Sequence, residues 1–169
     1  MDKNDSTCNP RSFRKLYEQH AEGLRNFVYY KSGDTGFAED TAQESFLRLW
    51  KNCASVPFEK AQSYLFTVAN RLFLDKVKHQ KVQLKFQSHT RQAVTQESPE
   101  YLMEEQEFKT KLEKAIADLP EGQRTVFLMN RVDKMKYREI AEALNISQKA
   151  VEKRMHKALL ALRTKIGQI

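Results

Sequence analysis

Asp40 and Glu44 lie four residues apart, one turn of a helix, a spacing that could serve acid–base chemistry or hold a cation. No histidine or cysteine stands near them in sequence, so a solvated or partner-binding helix face is the better reading. His20, His79, His89 and His156 make neither HxxxH nor HExxH. Cys8 and Cys53 make no CxxC, and neither a disulfide framework nor a zinc site is expected from them. No GxxxxGK[ST] or GxGxxG phosphate loop occurs. The expectation is therefore no enzyme, no metal, no cofactor and no small-molecule substrate. What remains is chemistry suited to reading a polyanion. Glu152, Lys153 and Lys157 are spaced by one and four, so they share a helix face. Lysine can donate to guanine O6 and N7, and glutamate can accept from cytosine N4.

Charge supports that direction. Lys and Arg number 29 against 22 Asp and Glu, a net +7 over 169 residues. Residues 1–88 hold 14 basic and 10 acidic side chains, residues 89–106 hold 1 and 4, and residues 107–169 hold 14 and 8. Two basic bodies joined by an acidic strap suit a polyanionic partner, nucleic acid first, with a merely solvated charged surface as the competing reading. The start, MDKNDSTCNPRSFRK, has no apolar core for a signal peptide. No stretch reaches the ~18 apolar residues of a membrane span. A cytoplasmic protein is expected.

The elements that must position these residues are helices. Five glycines and four prolines punctuate the chain lightly, and helix-favouring residues dominate. Phe13, Leu16, Tyr17, His20, Leu24, Phe27 and Val28 step by three and four, which predicts an amphipathic helix. KSGDTG at 31–36 should break it. A second helix is expected from about Phe37 to Lys51, with Ala38, Ala42, Phe46, Leu49 and Trp50 on its apolar side. Phe46 and Trp50 are read as core. Asn52–Lys60 reads as a loop. A third helix begins near Ala61, carries Leu65, Val68, Leu72 and Val77 inward, and turns basic at Lys76, Lys78, Lys81 and Lys85. The pattern lapses over 89–106, read as a flexible linker. It resumes at Phe108, Leu112, Ala115 and Ile116, and Pro120 suits the first turn of a further helix. The fold class expected is all-α, two small helical bundles joined by that linker.

The C-terminal bundle carries the sharper signal. Tyr137–Leu144 should be a short helix burying Ile140, Ala141 and Leu144. Asn145-Ile146-Ser147 makes a three-residue turn whose serine can cap the next helix. That helix runs to about Arg163 with Val151, Met155, Ala158, Leu159 and Leu162 inward. Gln148, Lys149, Glu152, Lys153, His156 and Lys157 lie on its free face. Two helices so joined, the second basic outside, read as a helix-turn-helix suited to the major groove. An ordinary helical hairpin is the competing reading.

At this point the residues resemble those of the extracytoplasmic-function (ECF) sigma factors of bacterial RNA polymerase. Ala38-Glu39-Asp40, Gln43-Glu44, Phe46 and Trp50 resemble the family's clamp-binding helix. Ser63 through Ala69 and Leu74-Asp75 are similar to its promoter-melting helix. Leu119-Pro120, Arg124, Val126-Phe127, Tyr137 through Ala141 and Ser147 through Arg163 look like its second domain. Tyr64 stands where the family usually has Trp, and Asn70-Arg71 inverts its common order. The resemblance implies a promoter-recognition subunit with no catalysis of its own. Residues 1–88 would bind the polymerase clamp and open the −10 element, 89–106 would link, and 107–169 would read the −35 element. Asp40, Gln43 and Glu44 would dock core RNA polymerase. Asn52, Ser55, Phe58, Gln62, Ser63 and Tyr64 would meet the −10 strand, with Lys76 and Lys78 on its phosphates. Ser147, Gln148, Lys149, Glu152, Lys153, His156 and Lys157 would face the −35 element of promoter DNA, and Arg138 a phosphate. The family also implies an anti-sigma factor, often membrane-bound. A stand-alone helix-turn-helix regulator and a nucleic-acid-processing enzyme are the alternatives.

Overall fold

Seven α-helices and one 3-10 turn, with no strand, make up the residues described, 6–79 and 99–166 of a computed structural model. They are α1 Pro10–Ser32, α2 Thr35–Lys51, the 3-10 turn Phe58–Lys60, α3 Ala61–His79, α4 Pro99–Ala117, α5 Glu121–Arg131, α6 Tyr137–Leu144 and α7 Gln148–Ile166.

Local chemistry sets most of the ends. The Asn9 side chain accepts from the Arg11 N–H at 2.9 Å, and Pro10 opens α1 where no amide donor is missed. KSGDTG breaks the chain over two residues only. Gly33 takes the left-handed conformation (φ 68°) and returns its N–H to Tyr29 O, and Asp34 then caps α2 by accepting from the Phe37 N–H at 2.9 Å. α1 therefore runs to Ser32 and α2 starts at Thr35, both tighter to the break than the pattern predicts.

The first half is a three-helix bundle with Leu24, Phe27, Val28, Leu49, Leu65 and Phe66 fully buried. Fully burying such side chains contributes roughly 1.5–3 kcal/mol each. The second half packs α5, α6 and α7 around Val126, Leu128, Ile140, Val151, Met155 and Leu162. α4 lies along α7 and also touches α1.

Five expectations need correction. Trp50 is 42% exposed, its ring edge against Phe13 at the rim rather than in the core. Val77 is 40% exposed, because Phe73 and Lys76 take the inward positions of that stretch of α3. Leu144 and Leu159 are half-buried, and Ala143 takes the inner place on α6. Part of the expected linker, from Pro99, belongs to α4, which begins on a proline that has no helical N–H to lose. The rest of the linker, with His89, lies outside the described residues, as do Lys81 and Lys85, expected on the basic end of the third helix. Finally, Cys8 and Cys53 are disulfide-bonded, with Cα atoms 4.9 Å apart across 45 residues of sequence. Motif spacing could not show this, because the packing of α1 on α2 brings the two ends together.

The two bundles are packed on each other. α1 meets α5, and α3 meets α6. Lys31, at the end of α1, is fully buried in this seam. Its ammonium donates to Glu121 Oε1 and Thr125 Oγ1, each at 2.7 Å, and to Asn70 Oδ1, with the Phe27 and Phe73 rings flanking it. Burial drives its pKa down to about 8, against the pull of Glu121. Burial by itself would raise the Glu121 carboxyl, yet Lys31 holds it below its ordinary value. Arg124 closes the seam from α5. It donates to Ala117 O at the end of α4, to Leu119 O just beyond it, and to Lys31 O.

Candidate DNA and polymerase interfaces

The helix-turn-helix forms because Asn145 adopts the left-handed conformation (φ 52°) that turns the chain out of α6. Ser147 Oγ then accepts from the Ala150 N–H at 3.1 Å, starting α7 as the sequence predicts. Val151, Met155, Ala158 and Leu162 anchor α7 inward. The opposite face carries Gln148, Lys149, Glu152, Lys153, His156 and Lys157, all exposed, and Ser147 and Arg138 are exposed beside them. Gln148 donates to Glu152 at 3.1 Å, so these two side chains are pre-oriented together. Lys149, Lys153, Lys157 and Arg138 around the Glu152 carboxylate form a surface able to read donors and acceptors along a groove.

On α2, Asp40 and Gln43 are exposed and Glu44 is half-exposed beside them. Glu44 is not free: Arg48, four residues on, donates to it at 2.7 Å. The sequence reading missed the apolar part of this surface. Leu47 and Trp50, 47% and 42% exposed, continue it toward an open groove lined by Pro10, Phe13, Arg14 and Tyr17. Exposed large apolar side chains beside polar ones mark an interaction surface. Their helical spacing gave no sign of it, since apolar residues at such spacing are usually core.

The α2–α3 connection brings several of the third group together. Asn52 Nδ2 donates to Arg48 O at 2.8 Å and to the Tyr64 hydroxyl at 3.2 Å, and Ser55 Oγ donates to Asn52 O. Phe58, Gln62 and Ser63 are half-exposed alongside. Lys76 stands apart. It pairs with Asp34 at 3.0 Å and lies 3.7 Å from the centre of the Phe37 ring, so it braces the start of α2. Lys78 is exposed.

The seam covers part of this group. Gln62 donates to Asp133 O at 3.2 Å, Thr67 to Ala143 O at 2.9 Å, and Lys60 pairs with Glu142. Asp133 itself packs against Gly23 of α1, so closely that any side chain there would collide with its carboxylate. Among the described residues its Oδ2 is buried without a hydrogen-bond partner, and burial pushes its pKa up to about 7. No sequence motif announces Lys31 or Asp133; both become special only when two distant segments meet.

Among the described residues no group of three or more His, Cys, Asp or Glu could hold a metal ion, and no helix is long and apolar enough to cross a membrane.

Residues 16–82 match the family model of sigma-70 region 2, and residues 109–162 match that of sigma-70, region 4. The chain is 26% identical over 169 residues to the ECF RNA polymerase sigma factor SigW of Bacillus subtilis, covering 94% of this chain and 90% of SigW. It is 24% identical over 155 residues to the ECF RNA polymerase sigma factor SigE of Mycolicibacterium smegmatis, covering 90% of this chain but spanning only 60% of that longer relative. Two solved structures share the fold. CnrH in complex with the cytosolic domain of CnrY superposes with a TM-score of 0.67 at 20% identity, over 94% of this chain and 90% of that one. The sigma factor RpoE in complex with the anti-sigma factor NepR, from Bartonella quintana, gives 0.70 at 15% identity, over 92% and 97%.

Proposed function

The chain belongs to the sigma-70 family, in its extracytoplasmic-function group, and from that premise we propose how its surfaces divide promoter recognition. Residues 107–169 read the −35 element through the exposed face of α7, with Lys153 and Lys157 toward guanines, Glu152 toward a cytosine, and Arg138 on a phosphate. Residues 1–88 dock core RNA polymerase and open the −10 element. Asp40, Gln43 and Glu44, extended by Leu47 and Trp50, form the dock. Asn52, Ser55, Phe58, Gln62, Ser63 and Tyr64 receive the melted strand, and Lys78 holds its backbone. Polymerase performs the chemistry.

The observation that carries this reading is the union, in one chain, of a capped helix-turn-helix with a basic outer face and a second bundle with a polar–apolar patch. A stand-alone regulator needs the first without the second. The two promoter elements lie about 25 base pairs apart by name, roughly 85 Å at ~3.4 Å per base pair. α3 is only ~28 Å long at ~1.5 Å per residue, and α6 rests on it. The halves therefore part before both elements are engaged, and the packed form is a resting state. An anti-sigma factor that favours the packed form is the partner this predicts, as CnrH and RpoE were each solved with another protein.

Purified protein added to core polymerase and a promoter library should yield specific transcripts that polymerase without it does not make. Operator binding with no polymerase-dependent transcript would overturn the reading in favour of a regulator.

A further inference from the structure

The only two cysteines of the chain are joined, and the bond lands on the connection assigned above to the −10 element. Cys8 belongs to the short segment ahead of α1. Cys53 stands between Asn52 and Ser55, in the turn that follows α2. Both cysteines are partly exposed, so small oxidants and thiols can reach them. Beside the bond, Thr7 is almost wholly buried and its hydroxyl donates to Val56 O at 2.8 Å. Among the described residues, the remaining polar contacts of the segment are local. The Asn9 N–H donates to Ser6 O, and the Cys8 N–H to Ser6 Oγ. Among the described residues, one covalent link and one hydrogen bond thus fasten Thr7 and Cys8 across the turn.

We infer that Cys8 and Cys53 form a reversible redox site that fastens the Asn52–Val56 turn when oxidised and frees it when reduced. Polymerase and promoters share a reducing compartment, where a disulfide is made and broken rather than permanent. The oxidant is of the hydroperoxide class. One thiolate attacks the peroxide oxygen, giving a sulfenic acid and water or an alcohol. The other thiol attacks that sulfur, releasing water as the S–S bond forms. A dithiol reverses the step by exchange, leaving as its own disulfide.

The consequence rests on the −10 reading. Extruding a base requires the turn to rearrange so that Asn52 exchanges its bonds to Arg48 O and Tyr64 for bonds to the base. A bond through the neighbouring residue opposes that movement. The oxidised protein should therefore bind polymerase and the −35 element normally but open the −10 element more slowly.

The test uses the full chain, reduced by dithiothreitol or oxidised by hydrogen peroxide and then freed of reagent. Maleimide labelling counts thiols, non-reducing electrophoresis excludes linked dimers, and permanganate reactivity on a promoter with core polymerase reads opening. The expected result is two thiols labelled in the reduced monomer and none in the oxidised one. Opening should be roughly tenfold slower in the oxidised monomer, with unchanged −35 protection. Cys8→Ser should open at the reduced rate under both treatments. Two labelled thiols after peroxide, or equal opening rates in the two monomers, would overturn the inference. The −10 reading fails on a separate arm without oxidant: reduced Asn52→Ala selecting an unchanged −10 sequence from a randomised library.

Discussion

Asp133→Asn should stabilise the packed form of this protein, and only above a defined pH. The Asp133 carboxyl is packed against Gly23 of α1, and among the described residues its Oδ2 has no hydrogen-bond partner; burial raises its pKa from 3.8 to about 7. That interval corresponds to about 4 kcal/mol at ~1.36 kcal/mol per unit of pKa. Partial access of water and the residual polarity of an amide reduce the expected gain to about 2–4 kcal/mol at pH 8. The folded pKa lies above the unfolded one, so the packed state binds the extra proton. Its stability is highest in acid and falls as pH rises from 3.8 to 7, by about 1.4 kcal/mol per pH unit, and is level above that. Other groups titrate nearby: burial lowers His20, and Lys31, at about 8, already carries its charge below that pH. Comparing wild type with variant cancels both. Urea unfolding at pH 5, 6, 7 and 8, followed by circular dichroism, should give a variant advantage largest at pH 8 and less than half as large at pH 5. Small-angle scattering should show wild type expanding between pH 5.5 and 8 while the variant stays compact. Parallel pH dependences, or a variant less stable at pH 8, would refute the argument that an uncompensated carboxylate sits in the seam.

The other surfaces make separable predictions. Lys153→Ala should weaken binding to the cognate −35 element by about 1–3 kcal/mol and relax preference at one base pair, measured by binding selection. Asp40→Ala with Gln43→Ala should shift the thermal midpoint by no more than a few degrees, because exposed polar side chains contribute little to folding, yet markedly weaken binding to core polymerase in a pull-down. Lys31→Ala should cost about 3 kcal/mol in urea unfolding, since it opens a cavity and removes the donor to Asn70 and Thr125 and the cation paired with Glu121. Lys31→Met fills the same space without a charge to desolvate and should lose less than half as much.

Much of this molecule is legible along the chain because helices are local. The steps of three and four from Phe13 to Val28, and from Val151 to Leu162, reveal helices and their inner faces. Gly33, Asp34 and Ser147 mark boundaries through caps that involve neighbours within four residues. The basic face of α7 is equally readable, since an exposed face is whatever the buried stripe leaves over. Tertiary structure alone decided the rest. Trp50 looks like core from its spacing but lies at the rim of α1 and α2. Lys31 is an ordinary basic residue near a helix end until Glu121, ninety residues on, closes over it. Asp133 is a loop carboxylate until Gly23 removes its water, and Cys8 and Cys53 are unrelated until α1 folds back along α2. Helical periodicity reports which side of a segment is apolar. Desolvation, ion pairing and cross-linking depend on what that side or its ends meet, and those partners are brought in only by the packing of distant segments.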